Sequence, residues 1–91
     1  MSIPTLLKDP HAILDYGFDW NLWLATGETI VTSAWTIPDG ITKDSDTNTT
    51  TTTTAWLSGG TAREEYLLVN RITTSAGRTE DRSVHIKVEN R

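Results

Sequence analysis

The sequence predicts an all-β fold, a small immunoglobulin-like antiparallel β-sandwich over residues 15–91 with an extended N-terminal arm over residues 1–14. Three observations predict it. Residues 63–74 and 80–89 alternate apolar and polar side chains around Ser75-Ala76-Gly77-Arg78, the pattern of a half-buried β-hairpin. Upstream, the chain breaks into short strand-like pieces, with turn signals at about every 8 to 12 residues as in a sandwich. Four Trp against one Phe supply large side chains able to fill a thin core.

Residues 1–14 lack alternation and are punctuated by Pro4 and Pro10, leaving Leu6, Leu7, Ile13 and Leu14 as the apolar anchors of the arm. Asp9-Pro10-His11-Ala12 suits a single helical turn with proline at its first position. From Asp15 the period becomes two. Phe18, Trp20, Leu22 and Leu24 fall on one side of a first strand, with Asp19, Asn21 and Trp23 on the other. A turn at Ala25-Thr26-Gly27-Glu28 leads to a second, β-branched strand over residues 29–37 that carries Trp35.

Pro38-Asp39-Gly40 marks a tight turn, and a third strand starts at Ile41 before Lys43-Asp44-Ser45-Asp46 turns polar, as an exposed loop or fraying edge. The Thr run at residues 49–54 reads as a strand because it flows into Ala55-Trp56-Leu57 before the turn at Ser58-Gly59-Gly60. Trp20, Trp35 and Trp56 are expected to point inward, Trp23 to face solvent or a partner, and Tyr66 to make a corner hydrogen bond back to the chain.

The 91 residues make one domain, with no cysteine to form a disulfide or a thiolate site. A net charge of −4 argues against a nucleic-acid partner, which needs clustered Lys and Arg. No stretch approaches the roughly 20 apolar residues of a membrane span, and no signal peptide is readable, so the chain is expected to be soluble, with no membrane partner.

No catalytic constellation stands out. His11 and His85 have no ligand at metal spacing, and Asp44 and Asp46 lack the Gly and closing Glu of a calcium loop. Ser58-Gly59-Gly60-Thr61 is followed by neither a phosphate-binding Lys nor a helix start. No catalytic, metal or cofactor residues are therefore assigned, and the chain is expected not to be an enzyme.

Several segments carry a resemblance: Lys8-Asp9-Pro10, Leu14-Asp15-Tyr16, Asp19-Trp20, Trp35-Thr36-Ile37-Pro38, Trp56-Leu57-Ser58-Gly59-Gly60-Thr61 and Asn70-Arg71-Ile72-Thr73-Thr74, then Gly77-Arg78-Thr79 and Asp81-Arg82-Ser83. In order and spacing they resemble a family of small virion accessory proteins of tailed phages and prophages, described as fibre-tail adaptor or head-tail accessory proteins. The resemblance spans nearly the whole domain, is weakest over residues 41–50, and departs from the family pattern at Arg63-Glu64-Glu65.

It implies a structural virion protein, made in the host bacterial cytoplasm, that docks a fibre or links components at the neck or tail. It implies partners among fibre, neck, tail or capsid subunits, with copies of the chain itself in a symmetric layer, and no catalytic residues. A capsid decoration or cement protein and a carbohydrate- or surface-binding module using Trp23 and Trp56 are the alternative readings. Leu6, Leu7, Ile13, Leu14 and Trp23 are the candidate protein-interface residues.

Overall fold

The inner-face alternation of the C-terminal hairpin organises the molecule. In the computed structural model, which describes residues 5–89, strands β6 (Glu65–Thr74) and β7 (Thr79–Val88) pair antiparallel and bury Tyr66, Leu68, Ile72, Val84, Ile86 and Val88 on one face. The turn between them closes with Gly77 N–H donating to the Thr74 carbonyl at 2.9 Å. Five further strands complete two sheets: β1 (Thr5–Lys8), β2 (Leu14–Asp19), β3 (Ile30–Thr36), β4 (Ile41–Asn48) and β5 (Thr52–Gly59).

One sheet has the order β1-β7-β6-β3 and the other β2-β5-β4. That is the strand order of a constant-type immunoglobulin sandwich with one change. Here β1 leaves the β2 edge and pairs parallel with β7, Thr5 opposite His85 and Lys8 opposite Val88. Residues 5–8 of the expected arm therefore lie along the chain's own sheet; residues 1–4 fall outside the described residues. Asp9 turns the chain after β1, its carboxylate accepting the His11 N–H at 2.8 Å and its carbonyl the Ala12 N–H at 3.1 Å.

Three expectations change. The first long strand stops at Asp19, because the Asp19 carboxylate accepts the Asn21 N–H at 2.9 Å and the Trp20 carbonyl accepts the N–H groups of Trp23 and Leu24. These bonds convert a period-two pattern into a turn and leave Leu22 99% exposed. Conversely, the polar stretch after Ile41 stays in β4 as far as Asn48, an edge strand kinked by a bulge between Lys43 and Ser45. Trp56 points outward, since Ala55 and Leu57 on either side of it are the inward residues of β5.

Two apolar clusters fill the sandwich. The larger gathers Tyr16, Ile41, Leu57, Tyr66, Leu68, Ile86 and Val88, and the smaller Trp20, Ile30 and Ile72, with Phe18 packed against both. Between them lies a buried polar network. The Asn70 carboxamide oxygen accepts from Thr53 Oγ1 at 2.7 Å and Trp20 Nε1 at 3.2 Å, while its nitrogen donates to Ser33 Oγ at 3.0 Å and the Ala34 carbonyl at 3.2 Å.

The expected corner bond is present: Tyr66 Oη accepts the Thr61 N–H at 2.9 Å. The ring lies against Gly40, whose φ of 100° and whose missing Cβ, which would sit 2.9 Å from Tyr66, explain the glycine of the Pro38-Asp39-Gly40 turn.

Two substitutions test this packing. A Cβ on Gly17 would lie 2.1 Å from the Thr53 carbonyl oxygen in the β2/β5 ladder. Gly17→Ala should therefore lower unfolding free energy by about 2 kcal/mol or more in urea titration. Asn70→Ala removes the acceptor of the Thr53 and Trp20 donors and the donor to Ser33 and the Ala34 carbonyl, and should cost ~2–3 kcal/mol by the same titration.

A candidate docking margin between the sheets

The four sheet edges form two margins of unlike chemistry. On one side β3 and β4 are both bulged, β3 between Ile30 and Thr32. On β4 the Lys43 ammonium and the Asp46 carboxylate form an ion pair. Asp46 stands opposite the inward-facing Ala55, so this edge strand carries a charge directed inward. Bulges and inward charges on edge strands disfavour pairing with another chain.

The other margin is apolar. Leu6 shares its phase on β1 with the buried Lys8, and Leu14 stands opposite the buried Leu57, so both face the interior from edge strands. They remain 39% and 40% exposed because no ladder joins β1 to β2. Leu7 and Ile13, one residue out of phase, face outward and are 43% and 62% exposed. The structure thus brings these four candidate residues to one margin.

Trp56 extends the patch. It stands opposite Asp15 on β2, two residues from Ile13, and is 42% exposed at the centre of its sheet's outer face. Sequence reasoning placed it inside. The signal that would have turned it outward is the pairing of Ala55 with Leu57, since two apolar residues flanking a third in a strand share the opposite face.

Two polar contacts hold the margin in shape. Tyr16 Oη donates to the Leu7 carbonyl at 2.9 Å, tying β2 to β1 across the gap. Lys8, fully buried, donates from Nζ to the carbonyls of Gly59 at 2.7 Å and Asp9 at 2.9 Å. Burial lowers the pKa of this ammonium below the ordinary lysine value, while Asp9 and Asp44 draw it back up.

Trp23 lies elsewhere, beyond the far end of β2, in the turn between β2 and β3. It is half-buried, edge-on to Trp20 at 5.5 Å between ring centroids, with the Arg78 guanidinium 4.0 Å above its ring. Arg78 is itself fixed by the nearly inaccessible Glu28 carboxylate, which also accepts from Thr74 Oγ1 and from the Ala25 N–H at 2.9 Å. A second guanidinium, from Arg82, covers the Trp20 ring at 4.2 Å and donates to the Asp19 carbonyl at 3.0 Å. Trp23 is thus part of a braced loop, separate from the apolar margin.

Among the described residues no group of three or more His, Cys, Asp or Glu side chains stands together as a metal site. His11 is exposed after the β1 turn, and His85 lies on the outer face between Leu67 and Thr5.

Hydrogen bonds from Arg78, Thr74 and Ala25 hold the Glu28 carboxyl at about 2, well below its ordinary 4.5. A depressed carboxyl pKa stabilises the fold fully above the ordinary value, and the contribution is lost as pH falls from 4.5 through 2. Urea midpoints measured between pH 7 and pH 2 should therefore drop in that window for the natural chain and drop less for Glu28→Gln.

Residues 8–87 match the family described as Podophage GP4 fiber-tail adaptor protein gp77. No curated protein matches the chain.

Proposed function

The chain belongs to the podophage fibre-tail adaptor family, and we propose that it serves in the virion as a structural adaptor that holds a fibre to the tail through the β1/β2 margin. The observation that carries the proposal is the asymmetry of the two margins. One is bulged and charged, whereas the other presents Leu6, Leu7, Ile13 and Leu14 beside an exposed Trp56. A contiguous exposed apolar patch marks an interaction site, and Trp is among the residues that most often anchor one.

The partner is a fibre or tail subunit, and the adaptor works by position and rigidity with no chemical step of its own. Copies arranged in a symmetric layer would let a modest contact per subunit hold firmly, since linked contacts multiply. The family match supports a place at the tail over one on the capsid lattice. Trp23, sheathed by Arg78, has the role of bracing the loop it occupies.

Leu7 and Ile13 face outward, so serine at both should leave the melting temperature near that of the natural chain while removing the anchor. Particles carrying Leu7→Ser with Ile13→Ser should retain fibres about tenfold less well or worse. Val31→Ser, on the guarded margin, should retain them normally. Normal retention by the double variant would place docking elsewhere, and absence of the chain from natural particles would overturn the adaptor role itself.

A further inference from the structure

The outer face of the β1-β7-β6-β3 sheet carries a charge pattern with a symmetry of its own. Tyr66, Leu68, Asn70 and Ile72 of β6 are buried, so Glu65, Leu67, Val69 and Arg71 between them face outward. On β7 the outward residues are Asp81, Ser83, His85 and Lys87, which alternate with the buried Val84, Ile86 and Val88. The antiparallel register sets Glu65 opposite Lys87 and Arg71 opposite Asp81. From one end of the face to the other, β6 carries an acid and then a base, while beside it β7 carries a base and then an acid.

Between these ends lie two rows without a carboxylate, ammonium or guanidinium group. Leu67 stands opposite His85, and Val69 stands between Ser83 on β7 and Thr36 on β3. Because β6 is paired on both sides, the 43% exposure of Leu67 belongs to the sheet face and not to an edge. An acid and a base at alternate corners around an uncharged centre make a pattern that complements itself when the face is turned over onto a copy.

We propose that this face pairs with the same face of a second copy of the chain, about a two-fold axis that runs across the strands at the level of Leu68 and Val84. Such an axis lays β6 on β6 and β7 on β7, and exchanges the levels of residues 65 and 71. Glu65 then meets Arg71 of the copy, Lys87 meets Asp81 of the copy, and Leu67 meets Val69 of the copy, each contact made twice. A two-fold axis along the strands would match the charges as well, but it would set Leu67 against His85 and turn the two β1/β2 margins in opposite directions. The axis across the strands sets apolar on apolar and brings both margins out on one side of the pair, where linked contacts multiply.

Charges across an interface fix its register more than they add affinity. Three strands about 4.8 Å apart, over the length of residues 65–73 at about 3.4 Å each, present on the order of 400 Å² per copy. That is about half the area of a standard interface, so the pairing is weak in solution and gains from copies already held together. It goes beyond the adaptor reading and does not depend on it, since the chain alone suffices to test it.

Sedimentation equilibrium of the purified chain from about 10 µM to about 1 mM at low salt should show the average mass rising toward that of a dimer. Glu65→Lys combined with Lys87→Glu keeps the net charge and keeps opposite charges side by side on one chain, yet sets like charges against Arg71 and Asp81 of the copy. Association of this variant, and of Leu67→Asp, should weaken by at least about tenfold. These side chains face outward, so melting temperatures should stay near that of the natural chain. A natural chain that remains monomeric across the range, or a charge-swapped variant that associates as well as the natural chain, would overturn the pairing. A monomer in solution whose Leu67 and His85 become protected from hydroxyl radicals in particles would assign the face to a different virion subunit and overturn the second copy.

Discussion

The Asn70 carboxamide sits where the two sheets and the two apolar clusters meet, and the rest of the sandwich is arranged around its bonds. Its oxygen gathers Thr53 from one sheet and Trp20 from the turn leaving that sheet, and its nitrogen ties β6 to β3. Between two apolar clusters, a misregistered strand would leave these groups unbonded at a cost of about 1–3 kcal/mol each. A small domain with no disulfide gains from such a device, because hydrophobic side chains fill space without choosing a register. The bond to Trp20 also fixes where β2 ends, and hence how the braced loop with Trp23 leaves the sheet.

The seven strands of the described residues close a sandwich with two margins, and this chain treats them differently. At β3 and β4 the edges are bulged and charged. At β1 and β2 the chain instead moves its first strand to the opposite sheet, which leaves Leu6 and Leu14 facing inward from edges that no ladder joins. The strand switch and the exposed leucines are one fact seen twice: a first strand on the β2 edge would have covered Leu14. An apolar margin made by topology is fixed in position, and a rigid patch loses little entropy when it docks.

Much of the strand pattern was legible because period two is written in the side chains themselves. The β6/β7 hairpin, the Thr-rich β5, the Tyr66 corner and the Gly40 turn follow from local alternation and turn chemistry. Residues 20–24 were not legible, since Trp20, Leu22 and Leu24 keep the strand period while the Asp19 carboxylate caps a turn. The apolar character of Leu6, Leu7, Ile13 and Leu14 was visible in the sequence. Their gathering at one margin was not, because it depends on β1 pairing with a strand some 80 residues later. The cover over Trp23 comes likewise from Arg78, 55 residues on, and no local pattern announces it.

β1 joins the structural and functional sides of the molecule. It is only four residues long, it pairs on one side, and its end is held by a buried ammonium bonded to two carbonyls. A solvated lysine would have cost less to accommodate, so the placement of Lys8 is informative: it anchors the one element that packing alone holds weakly. With its C-terminal end pinned at the Gly59 carbonyl, the strand is firm where the core needs it. The Lys8 anchor thereby also fixes the position of Leu6 and Leu7, the β1 half of the apolar margin.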